Sequence, residues 1–253
     1  MAYERAVVIG MGEVGRRISS ALTAAGIPWT GVTRSAGWAE VNREPQPLRV
    51  VCVREEALAE VLSRLAGCDP ASVVLVQNGW IRPLLAGWDG CTRGLVWFTS
   101  KGEFFRTLRP SPFSGPVAGV IAAALDRGGI PAETAADDAF RGLDAEKMGF
   151  NCVVGLPLAI HGMSLGEYLE ARREEAEALF RESVETCAEA LAVSASTDWW
   201  GTFLRAVEPL GWLRASTAKA LEFRSGAVLR LARELGRPVP VTARLLATVG
   251  FPS

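Results

Sequence analysis

The chain has 253 residues, with 27 Lys and Arg against 28 Asp and Glu and a formal net charge of −1. A near-neutral chain lacks the phosphate-directed field of a nucleic-acid binder. Its longest apolar run, around Pro116–Leu125, is short of the ~20 residues that span a bilayer, so no membrane partner is expected either.

In chain order, Arg5–Ile9 is a β-branched run of strand length. Gly10-Met11-Gly12-Glu13-Val14-Gly15 follows, and then Val14, Ile18, Ala21, Leu22 and Ala25 recur at helical spacing up to a stop at Gly26. Trp29–Thr33 and Leu48–Val53 predict the second and third strands. A helix with Leu58, Val61, Leu62 and Leu65 on one face then runs to Gly67, and Ser72–Val76 and Gly94–Phe98 predict two more strands. Strands alternating with helices imply an α/β fold with a mostly parallel sheet covered on both faces.

That setting gives weight to the glycines. Gly-x-Gly-x-x-Gly between a first strand and a helix is what a dinucleotide fold requires, whereas alone it is only a glycine-rich turn. Gly10 makes the tight turn and Gly12 lets a pyrophosphate approach the backbone. Gly15 lets helix and strand pack closely, and the amides of Met11, Glu13 and Val14 face the same anion. An NAD site places a carboxylate about 20 residues further on, at the end of the second strand. Here that position reads Thr33-Arg34-Ser35, and a cation with hydroxyls suits a 2′-phosphate. NADP(H) is the expected cofactor.

The second half is helical, which predicts a division into residues 1–138 and 139–253. A helix from about Arg141 carries Lys147 and Asn151 and is broken by Gly155 and Pro157. Ser164-Leu165-Gly166-Glu167 reads as a capping box opening one long amphipathic helix to Leu191. Thr197–Val207 and Lys219–Leu235 are further predicted helices, the latter stopping at Gly236 before Pro238 and Pro240.

The five cysteines are odd in number and widely spaced, which predicts thiols rather than a disulfide framework or a zinc site. His161 is the sole histidine, so a proton donor here would be Lys, Asp, Glu or Tyr. Lys147 and Asn151 are four apart, hence neighbours on one helical face. They form either a chemical pair or an ion-paired lysine reaching solvent beside a buried amide. Gln77-Asn78-Gly79 follows the fourth strand, where ligands of open α/β sheets bind, and is otherwise a turn. Trp199, Trp200 and Trp212 are core aromatics or the lining of a pocket. Met1–Arg5 runs straight into a strand, so no signal peptide and a cytoplasmic protein are expected.

The glycine motif, then Leu75-Val76-Gln77-Asn78-Gly79, then Glu146-Lys147-Met148-Gly149-Phe150-Asn151-Cys152, in that order, resembles the ketopantoate reductase family. The resemblance runs from Val7 to about Ala247 and includes Ser225-Gly226 and Gly236-Arg237-Pro238-Val239-Pro240. It implies an N-terminal NADP-binding Rossmann-type domain, an all-α C-terminal domain that can pair into a homodimer, and reduction of a small-molecule 2-keto acid. Carried over, Lys147 is the general acid and Asn151 orients substrate. Asn78 sits where nicotinamide and substrate meet, Gln77 and Arg54 hold cofactor, and Ser216 holds the substrate carboxylate. A lysine, with an ordinary pKa of about 10.4, is an acid at neutral pH without tuning. The departures are on the substrate side: the family's carboxylate is replaced by Ala220, with Glu222 next, and Gly155 stands where an Asn is usual. Arg54 replaces a lysine. An imine or larger keto acid as substrate, or an NADP(H)-binding sensor without turnover, are the competing expectations.

Overall fold

Ala6–Ile9 has a parallel neighbour on each side, which makes it an inner strand, β1, and it is buried at every residue. The computed structural model describes residues 3–194, 198–215, 218 and 220–252, apart from the side chain of Lys101. After β1 come α1 (Glu13–Ala24), β2 (Trp29–Val32), β3 (Leu48–Val51), α2 (Leu58–Arg64), β4 (Val73–Leu75) and β5 (Thr92–Gly94). Next are β6 (Phe98–Lys101), β7 (Phe104–Thr107), β8 (Ser111–Ser114), α3 (Ala118–Arg127) and β9 (Ala132–Thr134).

Seven of these strands form one sheet in the order β2-β1-β3-β4-β5-β8-β9. β1 to β5 are parallel, and β8 and β9 run against them. Val8, Val50, Val74 and Phe113 from the sheet meet Ile18 and Leu22 of α1 and Ile121 and Leu125 of α3 in one buried cluster. β6 and β7 make a separate two-stranded ribbon. Arg17 of α1 donates to Ser100 Oγ at 3.0 Å and to the Gly102 carbonyl at 2.8 Å, which ties the ribbon to that helix.

By its contacts the chain forms two units. The sheet unit runs to Gln77 and resumes over Ile81–Phe140; the helical unit takes Asn78–Trp80 and begins again at Arg141, inside α4 (Asp137–Val153). The helical unit continues with α5 (Leu156–His161), α6 (Leu165–Ala171), α7 (Arg173–Ala190), α8 (Trp199–Val207), α9 (Ser225–Glu234) and α10 (Pro240–Thr248). A Cβ on Gly149 would lie 2.5 Å from Val184 Cγ2 and 2.8 Å from the Phe180 ring, so this glycine lets α7 lie directly on α4. No helix among the described residues is long and apolar enough to cross a membrane.

Three predicted elements are corrected. The run Gly94–Phe98 is not one strand: Gly94 ends β5, the Leu95 amide bonds the Pro112 carbonyl, and Phe98 begins the ribbon. The long helix to Leu191 is two helices, broken at Arg172 (φ −136°, ψ 40°), after which Glu175 accepts from the Tyr168 hydroxyl at 3.1 Å. The last long helix begins only at Ser225, because the Phe223 carbonyl is used by the Trp80 amide at 2.6 Å. The capping box is present as read: the Ser164 amide donates to Glu167 at 2.7 Å, and Glu167 N–H to Ser164 Oγ at 3.4 Å.

Candidate functional site

The three glycines of the first loop each answer a different constraint. Gly10 has φ +101°, and a Cβ there would lie 2.9 Å from the backbone of Cys52 and Val53. Gly15 would place a Cβ 2.0 Å from the Gly10 carbonyl oxygen, inside contact distance. Gly12, which opens α1, would place its Cβ where no atom lies within 4 Å. The protein therefore leaves room at the one glycine that faces outward. The first-turn amides of α1 have no side-chain cap and carry the positive end of the helix dipole.

This loop forms one wall of a cleft of about 350 Å³ outside the carboxyl ends of β1, β2 and β3. The chain reverses its direction of strand addition there, the place where open α/β sheets bind ligands. Gly10, Met11 and Gly12 line it together with Thr33, Arg34 and Trp38 after β2. Val53 and Arg54 after β3, and Glu60 and Arg64 of α2, also line it. Arg34 and Arg54 are exposed and have no ion pair or hydrogen bond among the described residues. Two unneutralised guanidiniums and a helix N-terminus give the cleft a positive lining. A dinucleotide fits this set: Gly12 leaves space for the pyrophosphate and the arginines suit further phosphate.

The remaining expected cofactor residues divide. The Met11 thioether packs on Gly31, where a Cβ would sit 2.9 Å from its sulfur. Glu13 turns its carboxylate to Arg16 at 2.8 Å and accepts from Ser100 Oγ at 3.2 Å. Partial burial works the other way, but these bonds hold the Glu13 carboxyl below its usual range. Glu13 can thus offer its amide, while its side chain is engaged elsewhere. Val14 packs against the sheet's core. Ser35 is exposed and does not line the cleft. Gln77 is buried, and its Nε2 donates to the Val51 carbonyl at 2.9 Å and the Val53 carbonyl at 3.1 Å, latching β4 to β3. Cys52 also lines the cleft, and burial pushes its thiol up, so it is no nucleophile at neutral pH.

In the helical unit, Lys147 is 4% exposed and its Nζ lies 4.4 Å from the centroid of the Phe150 ring. Asn151, one turn further on, is 6% exposed, and its Nδ2 has no hydrogen-bond partner among the described residues. Asn78 belongs to this unit, held there by the Trp80 bond to Phe223, and its buried Oδ1 is likewise unpartnered. Gly79 turns the chain with φ +100°. The unit thus holds a buried lysine side chain, an unused amide donor and an unused amide acceptor. An unmet buried polar group costs about 1–3 kcal/mol, which a ligand can recover. Ser216 lies outside the described residues. Trp200 stacks on Phe203 at 5.0 Å and is part of an aromatic cluster with Phe180, whereas Trp212 is 53% exposed and belongs to no core.

Sequence reasoning did not single out Trp38 or Arg64. Gly37, with φ +87°, marks the turn that returns Trp38 to the sheet, and was the available signal.

No family model and no curated protein matches the sequence. Solved structures match over nearly its whole length. D-mandelate dehydrogenase in complex with NADH aligns with a TM-score of 0.75 at 15% identity, covering 97% of each chain. A PanE/ApbA family ketopantoate reductase from Ralstonia eutropha JMP134 aligns with a TM-score of 0.74 at 20% identity, covering 96% of this chain and 97% of that one. The dimeric ketopantoate reductase of Staphylococcus aureus gives a TM-score of 0.76 at 14% identity and 98% coverage of both. The chain has the ketopantoate reductase fold, and the resemblance read from its motifs holds at the level of fold, with divergent sequence.

Proposed function

We propose that this protein is an NADPH-dependent oxidoreductase that reduces a 2-keto acid or related carbonyl compound. The observation that carries the reading is the buried Lys147 with Asn151 one turn away, whose Nδ2 is unused. The cofactor side is supported by the glycine loop, the first turn of α1, and Arg34 and Arg54 in one cleft. When bound, the dihydronicotinamide supplies a hydride to the carbonyl carbon. Lys147 stabilises the charge that develops on the carbonyl oxygen and gives it a proton, leaving a neutral amine to be reprotonated from solvent. Asn151 donates to the substrate through Nδ2, and Asn78 accepts through Oδ1. Ser216 is proposed to bind the carboxylate, and a homodimer through the helical region belongs to the same reading.

The family carboxylate replaced by Ala220 argues for a substrate other than ketopantoate. Ala220 adopts φ +49°, so the position is a turn. The test is NADPH oxidation against 2-keto acids of graded side-chain size, with imines and ketopantoate included. Turnover with one of the keto acids supports the reading. Tight NADPH binding with no oxidation across the panel would replace it with a sensor.

A further inference from the structure

Two residues assigned by neither the glycine motif nor the family resemblance meet in the cleft of the sheet unit. Trp38 opens a short 3-10 turn after β2, and Arg64 closes α2. The Arg64 guanidinium carbon lies 3.6 Å from the Trp38 ring centroid. The Trp38 indole N–H donates to the Thr33 carbonyl at 2.8 Å, so the ring is fixed at one edge. Gly37 makes the turn that allows this: a Cβ there would lie 2.6 Å from the Gly31 carbonyl oxygen.

Among the described residues, Arg64 has no carboxylate and no hydrogen-bond acceptor of its own. Glu60, one turn earlier and well spaced for an i,i+4 pair, is not its partner. Stacking engages the face of a guanidinium and leaves its N–H edge available for a planar acceptor. With Arg34 and Arg54, Arg64 gives the cleft three cations against the single carboxylate of Glu60. The glycine loop and α1 already provide for one anionic group, the pyrophosphate. Three further cations in the same cleft fit a second, separate phosphate.

Resting on the dinucleotide reading above, we infer that Arg64 is a specificity-determining residue that binds, with Arg34, the 2′-phosphate of an adenosine dinucleotide. Trp38 is its positioning residue. The shared chemistry is a phosphate monoester beside a purine, and monophosphates separate it from a general anion effect.

The experiment is calorimetric titration of the full chain with NADPH, NADH, 2′-AMP, 5′-AMP and inorganic phosphate. The proteins are wild type, Arg64→Met, Trp38→Leu and Trp38→Phe, each also melted thermally. Arg64→Met should lower the preference for NADPH over NADH about tenfold, the worth of one hydrogen bond to a charged acceptor. It should weaken 2′-AMP much more than 5′-AMP. Trp38→Leu should lose most of the same preference, and Trp38→Phe should keep it, since a phenyl face still carries the guanidinium. If Arg64→Met melts early, Arg64→Gln supplies the comparison with a polar tip retained. A wild type that prefers NADPH, with that preference unchanged in the Arg64 variants, overturns the role of Arg64 alone. Equal weakening of 2′-AMP, 5′-AMP and inorganic phosphate overturns it as well. A wild type that binds NADH as tightly as NADPH overturns the NADPH reading itself.

Discussion

A Cβ on Gly15 would stand 2.0 Å from the carbonyl oxygen of Gly10, so the first turn of α1 rests on the loop that leaves β1, backbone against backbone. At Gly12 the same added atom meets nothing within 4 Å. The two positions therefore separate folding from binding. Gly15→Ala should destabilise the protein by about 1–3 kcal/mol through overpacking. Gly12→Val should stay within about 1 kcal/mol of wild type, the scale of an N-cap change, yet lose dinucleotide binding. Thermal melting and fluorescence titration of both variants check this. A Gly12→Val protein with wild-type affinity would remove the pyrophosphate from this loop.

Lys147→Ala tests the chemistry. General-acid contributions are worth about 10²–10⁴ in rate. The loss should fall on single-turnover NADPH oxidation and hardly on NADPH affinity, because the interaction belongs to the transition state. Lys147→Arg should rescue poorly, a guanidinium being a reluctant proton donor. Melting of the same variants separates this from lost packing on Phe150. A stable Lys147→Ala protein that transfers hydride at the wild-type rate ends the proposal for this residue.

Gln77 offers a different kind of test, because its amide donates to two carbonyls of the segment that leaves β3. Gln77→Leu leaves the Val53 carbonyl without this donor and the Val51 carbonyl with only the long bond from the Val76 amide, which should cost about 1–3 kcal/mol in urea denaturation. Gln77→Glu should be worse, since a carboxylate repels the oxygens it replaces the donor for. An unchanged midpoint in Gln77→Leu would mean that the latch is not needed.

A fourth expectation concerns acid stability. Glu175 accepts from Arg244 at 2.7 Å, from Tyr168 at 3.1 Å and pairs with His161 at 2.8 Å. Burial alone would raise its carboxyl, but these bonds outweigh it and hold the group below the usual range. The folded pKa lies below the unfolded one, so the contribution is complete above the unfolded value and fades as pH falls toward the folded one. Glu175→Gln should therefore lower the melting temperature by a few degrees at pH 7. The gap should close below about pH 4.3, the ordinary value for Glu. A gap that stays constant down to pH 3 would show that the network's charge is irrelevant.

What could be read in the sequence was whatever depends on neighbours along the chain. The glycine loop, the capping box at Ser164 and the strands β1 to β4 are local patterns, and each was legible within a residue or two. Arg34 was picked out by its place after the second strand and Arg54 only through the family resemblance; both line the cleft. β8 and β9 were not: one contains Pro112 and the other has only three residues, and their pairing is a matter of tertiary partners. The break at Arg172 has neither Gly nor Pro to announce it. Trp38 and Arg64 lie in different elements with no shared period, and only the folded sheet unit brings the indole under the guanidinium.

The order β2-β1-β3-β4-β5-β8-β9 also bears on how the protein is made. Strands β1 to β5 leave the ribosome first, and they end in a short buried strand, Thr92–Gly94, whose outer edge has no partner until Ser111–Ser114 arrives. During that interval β5 presents a row of open N–H and C=O groups, a template for any other extended chain. Released chains truncated between residues 95 and 110 should therefore associate with one another or with chaperones, while chains that continue past Thr134 should not. The hazard closes once β8 pairs with β5, and β9, with Glu133 and Thr134 exposed, then covers the outer edge of β8.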